Sequence, residues 1–222
     1  MKQRVLLKGK DALDLLQRIS SVDLKRTQVN EPCEGLILNP QGKILSFFIL
    51  TRLNEHEVLV DFEDEFLALI DQYTFGEKYE VLPQPLPAAM PLKESERIQS
   101  LKPLFGQEFK SDGTINPLEV NLKSAIHDQK GCYPGQEVIE KILSLGSPAK
   151  RLCLLTSNEP LVINCPVILS NPEGLEAGIL TSFDQTSGLA ILKRPYAQEH
   201  KILNLLGPDQ KTVVLTVQKV SS

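Results

Sequence analysis

Residues 35–52 read GLILNPQGKILSFFILTR. Two apolar runs of strand length flank Asn-Pro-Gln-Gly, a cluster of residue types that favour tight turns. This stretch commits the chain to an antiparallel hairpin, and a lone hairpin is marginal in water, so more sheet must surround it. The neighbouring sequence supplies it. Arg4–Leu7 reads as a short strand broken by Gly9, and Glu57–Phe62 as another after the NEHE turn. Lys78–Leu82 reads as a further strand. Two helices fall between them. KDALDLLQRIS places Leu13, Leu16 and Ile19 at helical spacing, with Asp11 as the expected cap. EDEFLALIDQYTF places Phe66, Leu67, Ile70 and Tyr73 on one face.

The character changes at PQPLPAAMP, residues 83–91, where four prolines in nine residues favour an extended connector. ESERIQSLKPLFGQEF follows with a mixed pattern, and VIEKILSL has helical spacing stopped by Gly146-Ser147-Pro148. Beyond it, RLCLLTS, PVILS, EAGILTSF, GLAILKR and TVVLTVQKV are short strand-like runs separated by Asn, Pro, Gly and Asp. Regular short strands with turn signals predict a small barrel or sandwich. The expected organisation is α+β over residues 1–148, with the proline connector inside it, followed by a β-barrel domain over residues 149–222.

Several function classes fit poorly. A formal net charge of −4 and 5% aromatic residues with no tryptophan argue against a phosphate-gripping or base-stacking nucleic-acid binder. The lysines at 102, 110, 123, 130, 141 and 150 are balanced by nearby carboxylates such as Glu108, Asp112 and Glu119. Cys33, Cys132, Cys153 and Cys165 form no CxxC pair, so zinc-ribbon and thioredoxin-type readings lack support. There is no long apolar run of a signal peptide or membrane span. A cytoplasmic protein with reduced thiols and no membrane partner is expected.

Chemistry concentrates in KGCYPGQE, Lys130–Glu137. Gly131 and Gly135 permit positive φ, so the backbone is free to turn sharply. A helix is expected to start near Gln136 or Glu137, placing Cys132 just ahead of its free amides and close to Lys130. Both neighbours favour a thiolate. That is the setting of a nucleophile, a redox thiol or a transient metal ligand. A small cysteine between glycines also suits plain packing in a tight turn, and spacing alone does not separate the two. The three histidines, His56, His127 and His200, include no evident base partner. No serine triad, phosphate loop, metal cluster or complete acid–base set is visible.

The octapeptide resembles the K-G-C-[FY]-x-G-Q-E signature of the YgfZ family, relatives of the T-protein (aminomethyltransferase) of the glycine cleavage system. Other stretches agree in order: LLKGKDALDLLQRISSVDL, the hairpin, RIQSLKPLFGQEF with INPLEVNL, Lys150-Arg151-Leu152, and GLAILKR. The resemblance covers nearly the whole chain. It implies a T-protein-like fold holding tetrahydrofolate or a derivative in a central cavity. It also implies an accessory role for iron–sulfur client enzymes, including those that modify tRNA; given the net charge of −4, no strong direct nucleic-acid binding is expected with it. It makes Cys132 the acting residue, with Lys130, Gly131, Tyr133, Gly135, Gln136 and Glu137 as its motif. It assigns Arg97, Gln99 and Arg151 to the folate.

The chain departs from the family pattern at three places. Ser46 stands where T-proteins carry a hairpin aspartate, which argues against aminomethyl transfer because a hydroxyl supplies no charge. Gln99 stands where an R-[IL]-E pattern places a pterin-holding glutamate. Between Leu82 and Glu94 there is only the proline connector, where fuller relatives carry additional structure. These departures keep two other readings in view: a folate-dependent aminomethyl- or methyltransferase, and an interaction protein that has lost its ligand.

Overall fold

The computed structural model describes residues 2–87, 92–160, 162–206 and 212–221. Residues 88–91 of the proline connector lie outside them. The chain divides into two compact units, 1–90 with 110–116 and 123–141, and 91–109 with 117–122 and 142–222. The division is therefore interleaved, and a single cut at 148/149 does not describe it.

In the first unit, β1 (Gln3–Lys8), α1 (Ala12–Ile19), β2 (Pro32–Leu38), β3 (Ile44–Arg52), β4 (Glu57–Phe62), α2 (Phe66–Gln72) and β5 (Glu80–Pro83) follow in order. The strands form one antiparallel sheet ordered β2-β3-β4-β1-β5. Alternation along β3 is clean: Ile44, Ser46, Phe48 and Leu50 are buried, while Leu45, Phe47 and Ile49 are half-buried. Leu15, Leu16 and Ile19 of α1 and Phe66 and Ile70 of α2 join Val5, Leu7, Phe48, Leu50, Val58 and Val60 in one core. Burying a side chain of this size contributes about 1.5–3 kcal/mol, so this face dominates the unit's stability.

Asp11 occupies the N-cap position of α1 but makes no side-chain cap bond. Its Oδ2 instead accepts the Lys78 N–H at 2.8 Å, which ties the start of α1 to the segment before β5. The hairpin turn closes as the sequence predicts. Asn39 Oδ1 accepts the N–H groups of Gln41 at 3.0 Å and Lys43 at 2.9 Å, and Gly42 takes φ +68°.

In the second unit, α3 (Glu94–Gln99) precedes the barrel. α4 (Gln136–Leu145) begins in the first unit and ends in the second, stopped at Gly146 with φ +77°. The strands are β6 (Lys150–Thr156), β7 (Val167–Ser170), β8 (Glu176–Asp184), β9 (Ser187–Lys193), β10 (Ile202–Leu206) and β11 (Thr212–Val220). They close into an antiparallel barrel ordered β10-β11-β6-β9-β8-β7. Leu155, Leu169, Leu180, Ala190, Leu192, Leu203, Leu215 and Val217 fill its core. A separate cluster packs Ile98 and Leu101 against Leu152, Leu154 and Leu189. Strand β10 was not among the expected runs. Its sequence, ILNLL, has a single β-branched residue and draws its strand character from burial of Leu203 and Leu205 rather than from propensity. Among the described residues, no helix is long and apolar enough to cross a membrane.

A buried charge cluster joins α3 to the barrel. Arg97 Nε and Nη2 donate to the Glu94 carboxylate at 2.8 and 2.6 Å. Nη1 donates to Glu108 Oε2 at 2.9 Å and to the Lys102 carbonyl at 2.8 Å. Nη2 also reaches Gln107 Oε1 and Ser182 Oγ. Glu108 further accepts from Leu104 N–H, Thr181 Oγ and Ser182 Oγ. Removing one member of such a buried pair leaves the other charge without its counterion, which costs about 3–5 kcal/mol. Arg97→Met is expected to lower unfolding free energy by that amount, while an Arg97→Met/Glu108→Leu double variant recovers part of it; denaturant titrations read both.

Candidate functional site

KGCYPGQE forms the turn that leads into α4, and the turn is fixed at two ends. At the far end, Gly135 takes φ +80°, and a methyl group there would come within 2.5 Å of the Asn39 carbonyl and 3.0 Å of Gly42 Cα. The hairpin turn and the motif therefore fit together backbone to backbone. Asn116, from the INPLEVNL segment, donates through Nδ2 to the Gly42 carbonyl at 2.8 Å. Three stretches distant in sequence meet at one turn.

At the near end, Lys130 is 5% exposed and points inward. Its ammonium donates to the Ser20 carbonyl, the C-cap of α1, and lies 5.0 Å from the centroid of the Tyr133 ring. Burial pushes its pKa down to about 8, against the opposing charge of Asp23. Burial also pushes Tyr133 up to about 12, so the phenol stays protonated. Lys130 thus anchors the motif to the interior through its ammonium.

Cys132 is exposed and takes no hydrogen bond among the described residues. The other cysteines are covered: Cys153 is buried and Cys33 and Cys165 are half-buried. Desolvation raises their thiols to about 12, 11 and 11 respectively. Gly131 differs from the expectation. It is absent from the positive-φ glycines, and a Cβ there would meet nothing within 4 Å. The helix begins at Gln136, whose Nε2 donates to Glu140 Oε1 at 2.6 Å, and Glu137 is exposed.

His127 lies beside the motif but is engaged elsewhere. Its Nδ1 accepts the Asp23 N–H at 3.1 Å, and its backbone N–H donates to the Ser21 carbonyl. Burial holds the imidazole below its usual pKa, so it is neutral at pH 7 with its proton on Nε2.

The residues expected to hold folate do not converge. All five N–H groups of Arg97 are engaged within its own unit. Gln99 is exposed and donates to Ser187 Oγ at 2.9 Å. Arg151 donates to the carbonyls of Ser221 and Gly146. The three share no partner, and Arg97 has no donor left for a carboxylate or a pterin. These residues do not fit the cofactor.

Sequence reasoning missed Asp64. Ser46 is fully buried and its Oγ donates to Asp64 Oδ1 at 2.8 Å. Asp64 Oδ2 accepts the Phe47 N–H at 2.9 Å and the Ser111 hydroxyl at 2.5 Å. A carboxylate therefore does stand at the hairpin, brought by the residues before α2, and it is held by three donors. The available signal was the acidic run Glu63-Asp64-Glu65.

Two outcomes follow from the motif geometry. Gly131→Ala is expected to change stability by less than about 1 kcal/mol, whereas Gly135→Ala should cost more than about 2 kcal/mol through strain and the clash with Asn39; thermal melts of the two variants separate them. Burial lowers the Lys130 ammonium to about 8 in the fold, from its ordinary 10.5 in an open chain. Between those values the unfolded chain binds more protons, so its contribution to stability rises with pH across that window. Lys130→Met is expected to stabilise the protein at pH 7 by about 1–2 kcal/mol, with the gain shrinking toward pH 10; denaturant titrations at several pH values measure it.

No protein-family description and no curated protein matches the sequence. Among solved structures, the crystal structure of glycine cleavage system aminomethyltransferase T from Bartonella henselae superposes with a TM-score of 0.80 at 16% identity, over 98% of this chain and 83% of that one. A likeness at this identity speaks to architecture, and on that evidence the chain has a T-protein-like α+β fold with an antiparallel C-terminal barrel.

Proposed function

We propose that the chain is a YgfZ-like accessory protein that supports the assembly or repair of iron–sulfur client enzymes and, through them, tRNA modification. The observation that carries the reading is the exposure of Cys132. It is the exposed thiol of four, and it sits in a turn fixed on both sides, while the others are covered and held protonated by burial. Thiol chemistry needs a sulfur that a partner can reach, so Cys132 is the cysteine equipped to act.

Tetrahydrofolate belongs to the wider family expectation, but Arg97, Gln99 and Arg151 do not form its site, so no step of this proposal runs through it. The alternative of folate-dependent aminomethyl transfer draws on the charge of a carboxylate at the hairpin. Ser46 is buried and Asp64 is held by three donors, which weighs against that alternative. The reading of a ligand-free interaction protein is favoured by the saturated Arg97, and it is distinguished by whether Cys132 matters.

The test is rescue. The wild-type chain and Cys132→Ala are expressed in bacteria that lack their own YgfZ-like protein, and an iron–sulfur-dependent tRNA thiolation product is quantified. The expected outcome is restoration by wild type and at least about a tenfold smaller effect from a folded Cys132→Ala variant. Equal rescue by both would remove Cys132 from the function. No rescue by well-expressed wild type would favour the interaction-protein reading.

A further inference from the structure

Lys130 carries a cost that its neighbours do not explain. A buried ammonium is disfavoured by desolvation, and an unbranched apolar side chain would fill the same channel without that penalty. What the ammonium alone provides is direction. It bonds to the Ser20 carbonyl at the C-terminal end of α1, where the helix leaves partial negative charge, and it lies against the face of the Tyr133 ring. The charged and titratable groups around it are Asp23, from the segment after α1, and His127, Asp128 and Tyr133 from its own segment. Asp23 is itself committed to Gln17, to the Lys25 N–H and to Arg26.

The stretch that follows is short. Gly131 and Cys132 are exposed, Tyr133 is buried, and at Gly135 the backbone is locked against Asn39. Gly131 has open space on its side-chain face and contributes no restraint. Any order at Cys132 must come from the fixed points on either side of it.

We propose that Lys130 is a positioning residue, which pins the start of the motif turn to the end of α1 and so fixes where the Cys132 thiol is presented. The inference rests on the reading of Cys132 as the acting group. Its test refers to no iron–sulfur enzyme, so an unchanged local order and a failed rescue by wild type are separate results.

A nitroxide is attached to Cys132 in a Cys33→Ser/Cys165→Ser background, and its mobility is read by electron paramagnetic resonance. Lys130→Met keeps the length and removes the charge and donors; Lys130→Arg keeps both. The expected result is at least about a twofold faster label motion in Lys130→Met, wild-type motion in Lys130→Arg, and no fall in melting temperature for Lys130→Met. In the rescue assay Lys130→Met is expected to lose about tenfold and Lys130→Arg to retain function. A role in the fold alone would lower the melting temperature of Lys130→Met and leave the label unaffected. Unchanged motion in Lys130→Met, faster motion in both variants alike, or failure of Lys130→Met to fold would each overturn the proposal.

Discussion

The close approach of Gly135 to the Asn39 carbonyl sets the terms for the first unit. A methyl group cannot be inserted between them, so the motif turn and the hairpin turn have to be built against each other. Asn39 shapes its own turn by accepting two backbone N–H groups, and Asn116 donates to the Gly42 carbonyl from outside. The start of α4 is carried by this contact, since Val138 packs beside Gly42. These three separated stretches therefore have a physical reason to occur together. They form one packed junction, and a change in any of them is felt by the other two.

Arg97 shows how a short pattern misleads when read for chemistry. Next to Ile98 and Gln99 it resembles part of a ligand-holding pattern. In the fold its guanidinium is the centre of a closed cluster with Glu94, Glu108, Gln107 and Ser182. Its neighbour Ile98 faces a different environment altogether, the apolar cluster with Leu152 and Leu189. The segment's work is to attach α3 to the barrel wall by one apolar and one fully bonded polar contact. Buried charge of this kind is tolerated because each donor and acceptor is matched.

Legibility followed the range of the interactions. The hairpin, α1, α2, α4 and most barrel strands were readable because their signals are local: side-chain period, turn residues and a glycine stop. Strand β10 was not, since Leu203 and Leu205 suit a helix as well as a strand until a barrel interior receives them. Asp11 looked like a cap because sequence cannot show that the Lys78 N–H lies nearby. Gly131 had permission for a positive φ and does not use it. Lys130 is next but one to the thiol in sequence, yet its bonding partner is 110 residues earlier. Asp64 was passed over for the same reason, being 18 residues from Ser46 and 47 from Ser111. Site residues were harder to place than elements because their partners are set by tertiary contact alone.

The interleaved path of the chain has a consequence for inheritance. The backbone passes from one unit to the other five times, at 90/91, 109/110, 116/117, 122/123 and 141/142. Domains that shuffle among proteins are joined by a single exposed linker and are excised by one or two cuts. Here no single break separates the units: a fragment ending at residue 148 keeps α3 and Glu108 but loses Ser182 and the barrel strands they pack against. Neither unit is available to recombination by itself, so the two are expected to pass between genomes, and to be lost from them, as one piece.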